Sequence, residues 1–538
     1  MAKTMKTEVR KHNKYKGWWV FCLPFYFFTF LPLNAQMTVR VGPEAPLRKL
    51  QIAEMAVNNL YVDSVNEEKL VEDAIKGMIE KLDPHSSYMT AKEVQQANEP
   101  LQGNFEGIGV QFNMVEDTLL VIQPVTNGPS EKVGILAGDR IVKVNDTIIA
   151  GVKMSKEEIM RRLRGPKGTK ARLGIVRRGI ADTLQYMVTR DKIPVKSIDA
   201  AYMIRHQVGY IRIGSFSATT HDEFCERLKE LKKQGMKSLV LDLQENGGGY
   251  LHAAVQIANE FLEDDALIVY TEGRQAQRTE YKAKGGGLFT KGKVIVLVDS
   301  YTASAAEIVS GAIQDHDRGV IVGRRTFGKG LVQRPIELPD GSMIRLTIAH
   351  YYTPSGRCIQ KPYEKGNGRD YAMDVYNRLK SGELTSVDSV HFADSLKYYT
   401  LRQHRVVYGG GGIMPDEYVP LDTTKFTRFH RELSAKGMVI NTNLRYVDQH
   451  RKDLLQQYKS FADFRQRFDI PQSVIDDLFA EGEKQNIKPK DEEEIQRTLP
   501  YLRAQMKALV ARDLWSMDEY FSIINEQNDI FLRAIGML

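Results

Sequence analysis

Two residues in one stretch of the chain, KVIVLVDSYTASAAEIVSGAIQDHDRGVIVGRRTFGKGLVQ at 293–333, have the types and placement for nucleophilic chemistry: Ser304 and Lys329. Residues 294–298 form a continuous β-branched run, the pattern of a strand buried on both faces. Residues 299–302 interrupt it, and 303–314 carry Ala305, Ile308, Val309 and Ala312 at helical spacing, so Ser304 falls at the first turn of a helix. There the N–H of Ala305, aligned with the helix dipole, can stabilise an oxyanion on a carbonyl attacked by Ser304 Oγ. A serine also needs a base. Lys329 stands between Gly328 and Gly330, and burial against Phe327 and Leu331 would lower its pKa enough for that role. The amide of Gln333 is placed to hold the ammonium or the serine.

Other readings of these residues fail on their own terms. Gly323 to Lys329 spells the G-x-x-x-x-G-K of a phosphate loop, but Gly330 replaces the magnesium-binding Ser or Thr. Pro335 then rules out a following helix. A triad of Ser304, Asp315 and His316 would lie along one helix, which cannot give triad geometry. Taken singly, Ser304 reads as an N-cap and Lys329 as a loop lysine. Their combination carries the chemistry.

The segment TASAAEIVSGAIQDHDRGVIVGRRTFGKGLVQ resembles the catalytic region of the carboxyl-terminal processing proteases, or tail-specific proteases. The resemblance implies a Ser-Lys dyad: Ser304 as nucleophile in T-A-S-A-x-E, Lys329 as base in T-F-G-K-G, and Gln333 assisting. It implies no metal and no cofactor. In the family a D-L-R-x-N-P-G-G segment supplies an oxyanion N–H, and the matching stretch Asp242-Leu243-Gln244-Glu245-Asn246-Gly247-Gly248-Gly249 assigns that role to Gly248 or Gly249. Gln244 and Gly247 depart from the commonest Arg and Pro.

The remaining chain supplies the elements around these residues. A basic region from Lys3 to Lys16, then apolar residues 18–33 ending at Leu33-Asn34-Ala35, reads as a secretory signal cleaved after Ala35. That implies the periplasm or cell envelope; an uncleaved leader would instead anchor the chain to a membrane. With 538 residues, 42% hydrophobic and 27% charged, several domains are expected. The net charge of +7 comes largely from the leader, so no nucleic-acid partner is inferred. Residues 46–96 keep a 3.6-residue apolar period and contain Leu82-Asp83-Pro84-His85-Ser86-Ser87-Tyr88, which also resembles the family; His85, lacking a second ligand at metal-site spacing, reads as structural.

Residues 103–190 read as short strands at 105–112, 119–122, 141–144, 171–176 and 183–188, with an amphipathic helix at 155–164 that turns Ile159, Met160 and Leu163 inward. Their order resembles a PDZ domain, which implies that Gly107, Ile108, Gly109 and Val110 form the loop holding a peptide carboxylate on backbone N–H groups. Residues 361–410 read as an ordered surface insertion before Gly412-Ile413-Met414-Pro415-Asp416, and residues beyond 420 as several helices.

The sequence thus predicts a multidomain α/β protein. Its parts are a signal peptide at 1–35, a helical region at 36–100, a PDZ domain at 101–191, a protease domain at 192–420 and a helical extension at 421–538. The expected function is a serine endopeptidase acting on protein or peptide substrates with exposed C-termini. The competing expectation is a noncatalytic peptide-binding scaffold on the same fold. The homo-oligomeric state is left open.

Overall fold

A computed structural model describes residues 45–538. The expected signal peptide and Cys22 lie outside the described residues. The chain divides into two compact units at Val71/Glu72. In the first, helix Ala45–Leu60 buries no residue and exposes Leu47, Ile52, Met55 and Leu60.

The second unit is built around a six-stranded sheet. Its order is Ile198–Arg205, Val208–Ile213, Ser238–Asp242, Lys293–Val298, Val320–Gly323 and Glu417–Tyr418; only the first pairing is antiparallel. The apolar runs are buried on both faces because successive side chains alternate. Val294, Val296 and Val298 join one core with the helices Thr220–Lys233, Leu251–Asn259 and Ala305–Asp315. Ile295 and Leu297 point into a second core with Ile530 and Phe531 of the helix Asp529–Gly536. Each such side chain contributes about 1.5–3 kcal/mol through burial.

This topology delivers the chemistry-bearing residues to one place. The glycine loop, Ser304 and the loop holding Lys329 each leave the carboxyl end of one of three neighbouring parallel strands, where open α/β sheets place their sites. A second sheet packs alongside, with Met343–Tyr352 paired to Ser87–Met89, Leu267–Glu272 and Leu331–Glu337.

The PDZ-like part has the sheet order Val110–Val115, Thr118–Pro124, Arg140–Val144, Lys170–Val176 and Leu184–Thr189, with Thr147–Ile148 on the third strand. The strand expected at 105–112 is two strands, Asn104–Gly107 and Val110–Val115. Gly109 separates them at φ +72°, a left-handed conformation that ends regular pairing. Asn104–Gly107 pairs with Asp191–Pro194, so entering and leaving segments are tied together. Of the three residues expected inward on the helix Lys156–Leu163, Ile159 and Leu163 are buried and Met160 is only half-buried.

Residues 361–410 fold back instead of projecting from the surface. Tyr371, Arg378 and Glu383 are buried there, on the helices Gly368–Ala372 and Asp374–Lys380 and just after them. Beyond residue 420, Arg428–Ala435, Met438–Gln457, Gln472–Lys484 and Glu492–Leu514 enclose a separate helical core around Phe429, Phe464, Leu478 and Met506.

Candidate active site

Ser304 is the N-cap of the helix Ala305–Asp315, at φ 56° and ψ −115°. A non-glycine residue in that conformation stores about 1–3 kcal/mol of strain, which its surroundings must offset. Glu307, one turn on, does so: its Oε2 accepts the Ser304 N–H at 2.8 Å.

The same fully buried carboxylate reaches the other side of the site. Oε2 also accepts the Lys329 N–H at 2.9 Å, while Oε1 accepts the Gly328 N–H at 2.8 Å and the Thr326 hydroxyl at 2.5 Å. Burial pushes the Glu307 carboxyl above its ordinary range, and these donors pull it back toward ionisation. One side chain therefore fixes the backbone at both Ser304 and Lys329. The Phe327 N–H, donating to Thr302 O at 2.9 Å, adds a second tie between the two loops.

Lys329 is half-buried, and Leu331 beside it is buried. Burial and then the positive charge of Arg345 hold its pKa below the ordinary lysine value, with Glu307 and Asp83 opposing. Ser304 and Lys329 thus stand on two loops facing one cleft of about 550 Å³, which Ser304, Ala305, Lys329, Gln333, Arg345 and Gly247 to Gly249 help to line.

Gly248 lies directly against the serine: a Cβ there would stand 2.8 Å from Ser304 Cβ and 2.9 Å from Ala305 N, so only glycine allows the approach. Its own N–H is engaged, donating to Asn246 Oδ1 at 2.8 Å. The N–H groups of Gly249 and Ala305 have no acceptor among the described residues. Asn246 holds this loop in place, since its carbonyl accepts the Ala303 N–H at 2.9 Å and its Nδ2 donates to Ile213 O at 2.6 Å.

Gln333 lines the cleft, but its amide contacts neither Ser304 nor Lys329. Nε2 donates to Thr347 Oγ1 at 3.3 Å, after a register shift between Val332 and Gln333. Thr347 Oγ1 in turn donates to Asp83 Oδ1 at 2.9 Å, and Ser86 Oγ donates to Asp83 Oδ2 at 2.6 Å. Burial raises the Asp83 pKa, and hydrogen bonds led by Ser86 more than reverse that. His85 stands next to this network, 2.8 Å from Tyr371 Oη; burial and then the charge of Lys329 push its pKa down to about 4, so it is neutral near pH 7.

Asp315 and His316 are occupied elsewhere. Asp315 forms a fully buried ion pair with Arg357 at 2.7 Å, and His316 Nε2 is 2.7 Å from Leu267 O, at the opposite end of the helix from Ser304.

Three contributions were not read from the sequence. Glu307 was visible only as part of the T-A-S-A-x-E pattern. The other two come from the insertion. Arg378 donates to the carbonyls of Thr326 at 3.1 Å and Arg325 at 2.7 Å, and to Glu383 at 2.7 Å. Lys361 Nζ lies over the rings of Phe327 and Tyr371, at 3.8 and 3.9 Å. No local spacing relates these residues to Lys329.

In the PDZ-like part, Gly107, Ile108 and Gly109 are buried and Val110 begins an edge strand. The Ile108 carbonyl accepts from Ser130 N–H and Oγ–H, and the Gly109 carbonyl from Val125 N–H. The N–H groups of Ile108 and Gly109 have no acceptor among the described residues.

Comparison with known proteins gives four regional matches. Peptidase family S41 matches residues 207–370, a PDZ domain 107–187, and the N-terminal domain of the activating protease CtpB 33–93. A family of unknown function matches 429–516. A carboxy-terminal-processing protease of Bartonella bacilliformis is 38% identical over 309 residues, covering 56% of this chain and 70% of its own. Carboxy-terminal processing protease CtpA of Bacillus subtilis is 36% identical over 344 residues, 62% of this chain and 73% of its own. A solved photosystem II D1 C-terminal processing protease is 29% identical over 57% of this chain and 88% of its own, with a TM-score of 0.33.

Proposed function

The chain belongs to the carboxy-terminal processing proteases of peptidase family S41, and from that premise we propose that Ser304 and Lys329 are its catalytic dyad. The neutral Lys329 amine takes the Ser304 hydroxyl proton as Oγ attacks the substrate carbonyl carbon. The tetrahedral oxyanion is held by the N–H groups of Ala305 and Gly249. Collapse breaks the C–N bond, and the Lys329 ammonium returns its proton to the leaving amine. Water then attacks the acyl-enzyme, giving its proton to Lys329, and the departing Ser304 Oγ takes that proton back.

The observation that supports this reading is Glu307, whose single carboxylate binds the backbone N–H of Ser304 at 2.8 Å and of Lys329 at 2.9 Å. A noncatalytic scaffold has no need for a buried carboxyl group joining those two positions. Gln333 acts at one remove, through its bond to Thr347 and on to Asp83 behind the cleft lining.

The PDZ domain delivers the substrate. Its Gly107 to Val110 loop takes the terminal carboxylate on the Ile108 and Gly109 N–H groups, and the tail adds to the edge strand Val110–Val115. The basic leader and apolar residues 18–33 direct the protein to the cell envelope.

A fluorophosphonate probe tests the dyad. Mass spectrometry should place the adduct on Ser304, and Lys329→Ala should abolish labelling while leaving the circular dichroism spectrum unchanged. An adduct on another serine, or undiminished labelling in Lys329→Ala, rejects the assignment.

A further inference from the structure

The helix Thr220–Lys233 carries His221 in its first turn and Cys225 one turn later, on the same face. The helix Leu251–Asn259 ends in Glu260, which is only 5% exposed and meets that face. His221 Nε2 lies 2.9 Å from Glu260 Oε1 and 3.4 Å from Cys225 Sγ. The three atoms all fall within 4.8 Å of one another.

Glu260 can accept from both the imidazole and the Cys225 thiol, and the same three atoms face one another closely enough to share a cation. A cation among the three atoms satisfies all of them. Ordinary zinc–N, zinc–O and zinc–S lengths in a tetrahedron give ligand-to-ligand edges of about 3.4–3.6 Å. The Nε2–Oε1 edge needs to open by about half an ångström, and the Nε2–Sγ edge by less.

A neighbouring group holds one ligand in position. Glu260 Oε2 accepts the Leu288 N–H at 2.8 Å, which leaves Oε1 as a single ligand.

We propose that His221, Cys225 and Glu260 bind a divalent cation of the zinc class, with a fourth position open to water. The mixed N, S and O donor set suits zinc and disfavours magnesium or calcium, which take oxygen. The site is distant from the peptidase chemistry, because Glu260 lies beyond the far end of the nine-residue helix that follows the glycine loop, about 13 Å along its axis. The ion would staple the C-terminal end of that helix to Thr220–Lys233.

Cobalt(II) alone, titrated into the full-length protein, is the test. One equivalent should produce a thiolate-to-cobalt absorption band, and zinc should bleach it. Cys225→Ser should remove the band, and His221→Ala and Glu260→Gln should each weaken zinc binding at least tenfold. Stripping the metal should leave kcat/KM unchanged while lowering the melting temperature. Absence of the band in the wild-type protein overturns the proposal. So does a band that survives in Cys225→Ser, since Cys22 and Cys358 are also in the chain. Should Cys225→Ser fail to fold, the alkylation rate of Cys225 in the wild-type protein decides: zinc must slow it at least tenfold, and an unchanged rate is fatal.

Discussion

Arg378 donates to the carbonyl of Thr326 at 3.1 Å, three residues ahead of Lys329. It comes from the insertion, yet it grips the loop on which the proposed base sits. Glu383 pairs with both Arg378 and Arg325, so losing one arginine leaves the carboxylate partnered. Arg378→Met should therefore yield a folded protein with a loosened lysine loop. We expect kcat to fall on the order of 10- to 100-fold, the scale of a misplaced catalytic group, with KM nearly unchanged. Arg378→Lys should restore part of it. Steady-state kinetics alongside thermal unfolding separate this outcome from simple destabilisation; a raised KM at constant kcat would point to substrate binding instead.

In the proposed mechanism Ser304 and Lys329 move one proton between them, so their losses should not add. Ser304→Ala, Lys329→Ala and the double variant should show nearly equal residual kcat/KM, each down by several orders of magnitude. Gln333→Ala should lose far less, because its amide donates to Thr347 and not to either member of the pair. Multiplicative losses in the double variant would mean that the two residues act independently.

The pH profile reports on Arg345. Burial and this neighbouring cation both hold the Lys329 pKa down, and the proposed mechanism makes the neutral amine the active form, so kcat/KM should rise with pH through that depressed value. Arg345→Gln removes a positive charge and lets the pKa climb back toward the ordinary lysine value. The rising limb then moves to higher pH, with tenfold less neutral lysine on its acid side for each unit moved. Activity should drop near pH 7 and recover in alkaline buffer. A limb that stays put, or moves to lower pH, contradicts the charge argument.

Tail recognition is read from paired substrates. A peptide with a free C-terminal carboxylate and its amidated twin should differ in kcat/KM if the Ile108 and Gly109 N–H groups take the carboxylate. Removing residues 101–191 should abolish that difference. Equal values for both peptides on the intact protein would take C-terminal recognition away from this loop.

The sequence made the chemistry legible because strand, break and helix follow one another within a few residues around Ser304, and because Lys329 sits in a compact T-F-G-K-G. The family resemblance points to Gly248 or Gly249 but not to which N–H is available. That depends on where the Asn246 side chain points, and Gly248 proves to be engaged. Gln333 was placed by its spacing from Lys329; the register shift beside it turns the amide toward Thr347. The insertion read as a surface excursion because its composition is polar, but Arg378 and Glu383 are buried by pairing charge with charge and with backbone carbonyls. Composition reports polarity, whereas burial of a charge depends on partners far away in sequence.

The bond from Thr347 to Asp83 spans 264 positions of the chain. Asp83 and Ser86 emerge from the ribosome early, yet the strand they brace is made only after Ser304 and Lys329 have already appeared, and the grip of Arg378 comes later still. A nascent polypeptide therefore carries both reactive residues for a time without the walls that make them a site. Loop closure over such distances is slow compared with local helix formation. The order of synthesis itself thus acts as a safety catch: the enzyme gains the means to cut only once the chain has been made past Arg378 and folded around the cleft.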